Sequence, residues 1–409
     1  METTDGTKNN IYNLLSSEEV KEVVKRSLSN DADLIEYAIR PYSDDKVGFL
    51  GSHYLLDIVA TREKETVTLA FFLKTVPYHV PDQANYVIEK GVFHKETKFY
   101  SVIMPLLNEG YRGEPYVPMC YKVKNDSIIF EELSSKGYSM RDKLFDKTLV
   151  RAGLSALARL HAASLLAETR LGKPLNQLYP DVFIEIEFNR EGLTRKWFEA
   201  GVDVAAAIAE RLGHDPDLIR STCEQVYYAM KPSCTKANVV SHGDLWGNNL
   251  LFNNDAMPKC LLIDFQLFRY SPLAHDVAQF LYQCADRDFR ETWESAMLLH
   301  YYDTLRETLN IHEIHTQTPS WSELIKGMEE QRLGALITAI IRFPMVLMDE
   351  NGARILNDPA SYADYWFRNR KEIVLSTMEK DPIYERRISE AVVELAEVAS
   401  RLDQLPKPS

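Results

Sequence analysis

The chain has 409 residues, of which 45% are apolar and 26% charged, with a formal net charge of −13. This length predicts two or three domains or one large two-lobed unit, and the composition is that of a soluble globular protein able to bury a substantial core. The acidic balance excludes a general nucleic-acid binder, which needs a basic footprint, yet a few local cations still suffice to neutralise a nucleotide's phosphates.

The amino-terminal stretch METTDGTKNN is polar and lacks the apolar core of a signal peptide. The five cysteines, at 120, 223, 234, 260 and 284, form no C-x-x-C pair. Both features predict a reduced, cytoplasmic location without a structural zinc site. Residues 16–29 predict a first helix, with Ser16 and Glu19 as a capping box and Val20, Val23, Val24 and Leu28 on one face. From about 36 to 133 the texture changes. SHYLLDIVA, TVTLAFFLK and DSIIFEEL are short, β-branched and aromatic runs that read as strands of a mostly antiparallel sheet. A single helical stretch, 85–107, interrupts them. After about 134 the periodicity is mainly helical, at 148–168, 201–212, 216–230, 273–284, 289–309, 320–342 and 383–403, broken only by 238–271. The longest apolar run, LGALITAIIRFPMVLM at 333–348, carries Arg342 and Pro344. It is short for a membrane span and reads as a buried helix that ends or kinks at the proline. The expected fold is therefore α+β and two-lobed: a small antiparallel β lobe over 1–133 and a large helical lobe over 134–409.

The stretch VVSHGDLWGNNLLF, 239–252, concentrates polar residues between two apolar runs. Phosphoryl transfer asks a protein mainly for positioning: a carboxylate to orient the acceptor hydroxyl, ligands for a metal bridging the phosphates, and a cation to hold them in line. His242, Asp244 and Asn249 have the H-x-D-x-x-x-x-N spacing that places an Asp and an Asn in one cleft. Fifteen residues later, CLLIDFQ reads as a buried strand delivering Asp264 at its tip as a second metal ligand, with Gln266 where a protein kinase has glycine. In the β lobe, TLAFFLKT ends on Lys74, and Glu96 on the following helix would hold it against the phosphates. The loop GFLGSHY offers Gly48, Gly51 and Ser52 as a cover for the nucleotide, and the linking strand offers the Glu131 carbonyl and Leu133 N–H to an adenine. His242 is expected to brace the loop, His161 to pack in the core, and Asp276 to start or brace a helix behind the loop. Taken singly, Lys74 and Glu96 read as solvated charges and the glycines as a hairpin turn. Their order along the chain, on the right elements, makes one consistent phosphotransferase site.

SHGDLWGNN, LLIDFQLFRYSPLAHDVAQFLY, FFLKTVP and IIFEEL resemble the insect ecdysteroid kinase-like family, part of the choline and aminoglycoside kinase-like group within the protein kinase-like fold. The resemblance runs over roughly 40–400 and is strongest at 239–282. It implies Asp244 as catalytic base, Asn249 and Asp264 as Mg²⁺ ligands, and Lys74 with Glu96 on the phosphates of ATP. It also implies transfer of the γ-phosphate to a hydroxylated small molecule, ecdysteroids being the named example. A choline, aminoglycoside or xenobiotic kinase is the alternative, and a catalytically inactive binding protein a further one that the intact Lys74, Asp244, Asn249 and Asp264 oppose. The acceptor pocket is expected near 183–200 and 320–350. A monomer that engages neither nucleic acid nor membrane is expected.

Overall fold

The computed structural model describes residues 14–43, 50–312, 315–349, 354, 358 and 360–409. Five antiparallel strands form the small lobe: β1 (Asp33–Pro41), β2 (Ser52–Arg62), β3 (Glu65–Thr75), β4 (Cys120–Val123) and β5 (Ser127–Glu131), in the order β1-β2-β3-β5-β4. Strand β1 starts three residues before the expected onset of β texture, and its mostly exposed, irregular burial hides the alternation that marks β2 and β3. Side chains alternate across a pleated strand. On β3 this sends Phe71 and Leu73 into a small core with Leu56, Ile58 and Ile129, and sends Phe72 and Lys74 to the opposite, cleft-facing side.

Helix α1 (Ser17–Ser27) covers the small core with Val20, Val23 and Val24. Its start is the capping box read from the sequence: the Glu19 N–H donates to Ser16 Oγ and the Ser16 N–H to the Glu19 carboxylate. Burying each valine is worth about 1.5–3 kcal/mol, which outweighs the weak propensity of a valine-rich helix.

The stretch expected as one helix over 85–107 is divided. Helix α2 (Pro81–Lys90) stops at Gly91, whose φ of 74° is the left-handed conformation that ends a helix, and α3 (Val92–Lys98) restarts at a new angle. A π-helical turn, Phe99–Ile103, follows.

The large lobe is built on α4 (Lys147–Leu171), which is long and apolar enough to cross a membrane, although 78% of its most apolar window is buried inside the protein. Helix α5 (Gly192–Arg211) begins nine residues before the expected segment. Strand β6 (Asn238–Ser241) pairs with β9 (Arg269–Pro272), and between them β7 (Leu250–Phe252) and β8 (Cys260–Leu262) make a hairpin. Then come α6 (Leu273–Cys284), α7 (Arg287–Asn310), α8 (Trp321–Val346), α9 (Tyr362–Phe367), α10 (Lys371–Lys380) and α11 (Pro382–Ala399). Helices α9 and α10 have no counterpart among the expected helical segments. Helix α8 does not end at Pro344 but continues to Val346. A proline this near a helix end forfeits one backbone bond, and the Pro344 carbonyl is itself engaged by the hydroxyls of Tyr365 and Tyr384, at 3.2 and 2.9 Å. All five cysteines are free thiols.

Helix α4 depends on its amino-terminal cap, where Asp146 Oδ1 accepts from the N–H groups of Thr148 and Leu149, both at 2.9 Å. Asp146→Ala is expected to cost about 1 kcal/mol. Urea unfolding should show a lower midpoint with an unchanged slope.

Candidate active site

Two short pairings place the polar residues of 239–271. Strand β6 ends at Ser241 and feeds His242, Gly243 and Asp244 into the cleft. The β7–β8 hairpin pairs Leu250 with Leu262, so Asn249, just before β7, and Asp264, just after β8, emerge at the same end. The Ile263 N–H donates to the Asn249 carbonyl at 3.0 Å and closes that end. Asp264 has φ 67°, a left-handed conformation uncommon for any residue but glycine and tolerated best by Asp and Asn.

Lys74 joins the lobes. Its ammonium lies 2.7 Å from Glu96 of α3 and 2.7 Å from Asp264 of the large lobe. Burial opposes its charge, but the two carboxylates outweigh that penalty and raise its pKa, so Lys74 is held as an ammonium. An aromatic seam backs the ion pairs: Phe99 stacks on Phe265 with centroids 3.9 Å apart and planes 6° from parallel, and Phe265 also meets the His242 ring at 4.4 Å.

His242 braces the loop. Its Nδ1 accepts from the Asp244 N–H at 3.2 Å, which leaves the ring proton on Nε2 to donate to the Ile263 carbonyl at 2.8 Å. Burial keeps the ring neutral by lowering its pKa. Asp276, in the first turn of α6, accepts from the N–H groups of His242 and Gly243 at 2.6 and 3.0 Å and from His161 Nε2 at 3.2 Å. Burial disfavours its charge, yet His161 and these neighbours hold its pKa down at about 2. His161 Nδ1 in turn accepts from the Tyr301 hydroxyl at 2.6 Å. His161 is thus a core residue that orients Asp276.

Asp244 is buried, and burial raises its pKa against the pull of Arg342, whose Nη1 is 3.0 Å from Oδ1. Gln266 Nε2 lies 3.5 Å from the other oxygen. Arg342 comes from α8 and also pairs with buried Glu187, which a second arginine, Arg269, meets at 2.8 Å. The expected acid–base residue is therefore clamped by an arginine that sequence reading placed only as an interruption of an apolar helix. A charged residue that interrupts a buried run was itself the available signal, since such residues are seldom buried unpaired.

Lys74, Glu96, Glu131, Leu133, Asp244, Asn249 and Asp264 all line one cavity of about 530 Å³. Glu131 pairs its carboxylate with Lys136, and its N–H donates to the Met119 carbonyl at 2.9 Å. Gly51 abuts the Lys74 side chain, where an added Cβ would stand 3.2 Å from Cε. The Ser52 hydroxyl is 3.2 Å from His79 Nδ1, and Ser52 does not line the cavity. Gly48 lies outside the described residues. The same cavity is also lined by Tyr86, Lys90, Trp197, Met345, Val346 and Trp366. This includes residues from both segments expected to surround an acceptor.

The donor set at Asn249 and Asp264 suits a hard cation. The Asn249 amide nitrogen donates to the Asp244 carbonyl at 2.8 Å, which turns its side-chain oxygen away from that bond. Among the described residues no group of three or more His, Cys, Asp or Glu side chains forms a self-sufficient metal site. Two oxygen ligands that need completion by phosphates and water match Mg²⁺ better than a cation held by protein alone.

Gly243 leaves no room for a side chain. Its φ is 76°, and a Cβ there would stand 2.3 Å from the Leu267 carbonyl oxygen. Gly243→Ala is expected to lower stability by about 1–3 kcal/mol. Denaturant unfolding beside a conservative surface variant checks this.

Comparison with known proteins matches residues 50–313 to the model of the ecdysteroid kinase-like family. No curated protein matches in sequence. Similar solved structures include choline kinase from Cryptosporidium parvum, at 12% identity, covering 94% of this chain and 97% of that one with a TM-score of 0.48. Plasmodium vivax ethanolamine kinase gives 13% identity, coverage of 95% and 97%, and a TM-score of 0.45. A macrolide 2′-phosphotransferase from Brachybacterium faecium gives 12%, 92% and 98%, and 0.38. The family match spans well over half of the sequence, and on it the chain belongs to the ecdysteroid kinase-like family of phosphotransferases that act on hydroxyl groups.

Proposed function

We propose that the protein transfers the γ-phosphoryl group of ATP to a hydroxyl of an ecdysteroid or a similar hydroxylated small molecule. The observation that carries this reading is the single cavity in which Lys74 bridges Glu96 and Asp264 while Asp244 and Asn249 line the same wall. On this reading the adenine sits against the linking segment at Glu131 and Leu133. Lys74 exchanges Asp264 for the phosphates, and Asn249 and Asp264 hold Mg²⁺. When bound, that ion neutralises charge on the phosphates. Asp244 orients the acceptor hydroxyl and takes its proton as oxygen bonds to phosphorus and ADP leaves. Arg342 fixes one oxygen of Asp244, so the other serves the acceptor.

A protein acceptor fits poorly. After Asp264 come only a short turn, Phe265–Leu267, and β9 before α6 begins at Leu273. A protein substrate needs an extended platform in this position. The apolar wall of Tyr86, Trp197, Met345, Val346 and Trp366 supports a bulky apolar acceptor.

The test incubates the purified protein and labelled ATP separately with ecdysteroids, choline, aminoglycosides and generic protein substrates. Steroid labelling is expected, with Asp244→Asn slower by about 10²–10⁴-fold. Labelling of proteins with no small-molecule turnover would sink the proposal, and choline turnover without steroid turnover would favour the amino-alcohol alternative.

Turnover should also report the environment of Asp244. The base works ionised, and burial raises its pKa, so kcat should fall with acid at a higher pH than an ordinary carboxylate would give. Arg342 opposes that rise. In Arg342→Met the acid limb of the kcat–pH profile should move further toward neutrality, and a limb left in place would show that Asp244 is not the titrating base.

A further inference from the structure

Resting on the phosphotransferase reading above, we infer that Lys90 is a specificity-determining residue that excludes cationic acceptors by occupying their place itself. Its ammonium sits 5.4 Å from the centroid of the Tyr86 ring and 5.2 Å from that of Trp197, within cation–π range of both. A second cation of the chain, Arg370, lies 6.0 Å from the Trp197 centroid. These two aromatic rings line the cavity, and their faces are what a quaternary or primary ammonium ligand would use. They already hold the protein's own positive charge.

The nearby carboxylates reinforce the point. A bound amine gains from an acidic partner as well as from aromatic faces when it leaves water. Asp244 and Glu187 are the acidic side chains of this region of the cavity, and both are engaged by Arg342, with Arg269 on Glu187 as well. Lys90 has no carboxylate within ion-pair distance among the described residues, yet its charge acts on Glu187 and helps hold that carboxyl low, so the chain's own cation already stands where a ligand's would. A ligand cation there would meet a like charge at close range in a poorly solvated space. An uncharged alcohol meets no such penalty and packs against the same rings.

Lys90 sits at the last position of α2, just before Gly91, and is only half-buried, so replacing it disturbs little packing. The test titrates choline, as a probe cation, into wild type, Lys90→Met and Lys90→Gln, and reads binding by calorimetry. No saturable response is expected from wild type. Both variants should bind choline, with an affinity at least about tenfold above any wild-type value. MgATP titrations of the same samples report the donor end separately, so a failure of the kinase reading would appear there and leave the choline comparison intact. Choline binding to wild type as tight as to the variants would overturn the inference. So would folded variants, verified by circular dichroism, that gain no choline affinity.

Discussion

The ammonium of Lys74, 2.7 Å from a carboxylate of each lobe, is the contact on which the rest of the site depends. The β-sheet register places it: Lys74 pairs with His53 and Ile128, and the pleat turns its side chain to the cleft while Leu73 enters the small core. Glu96 reaches it only because Gly91 breaks the preceding helix and lets α3 start in a new direction. Asp264 reaches it from the large lobe through the mouth of the β7–β8 hairpin. Removing Lys74 would leave buried Glu96 without a partner, which costs about 3–5 kcal/mol in comparable cases. The Phe99–Phe265 stack spans the same junction, so apolar contact and ion pairing hold the lobes in one relative position.

Around Asp244 the protein uses charge in layers. Tyr301, His161 and Asp276 form a buried relay that ends on two loop N–H groups, so the backbone before Asp244 is held by an ionised carboxylate rather than by sheet bonds alone. Charge-assisted bonds of this kind are about twice as strong as neutral ones. Arg342 and Arg269 then share Glu187, which fixes the arginine that touches Asp244. From Tyr301 through His161 and Asp276 to the loop, each polar group is engaged by the next, as a buried network requires if it is to rigidify a site.

Local signals were legible in the sequence and long-range ones were not. The capping box at Ser16 and Glu19, the strands ending at Lys74 and before Asp264, and the helix 273–284 all announce themselves within a few residues. Gly91 also carries a local signal, but the apolar spacing on both sides continues in phase, so periodicity alone joins two helices into one. The helix expected to end or kink at Pro344 runs two residues past it, and two tyrosine hydroxyls from α9 and α11, 21 and 40 residues away, take up the Pro344 carbonyl. Arg342, Glu187 and Lys90 lack any motif. Their importance follows from which carboxylate, arginine or ring the fold sets beside them.

The division of the chain by the family match carries a physical meaning. Lys74, Glu96, Asp244, Asn249 and Asp264 all fall within residues 50–313, and these are the groups to which the proposed function gives the phosphoryl transfer itself. Arg342, Met345, Val346 and Trp366 fall beyond that span yet line the same cavity. Helix α8 therefore makes two contributions at one end: Arg342 reaches inward to Asp244, and Met345 and Val346 line the cavity within a turn of it. A substitution that reshapes the wall is mechanically connected to the residue that holds Asp244. On the proposed function, acceptor choice and proton transfer are coupled through a few residues of one helix, and a change in acceptor would alter turnover as well as binding.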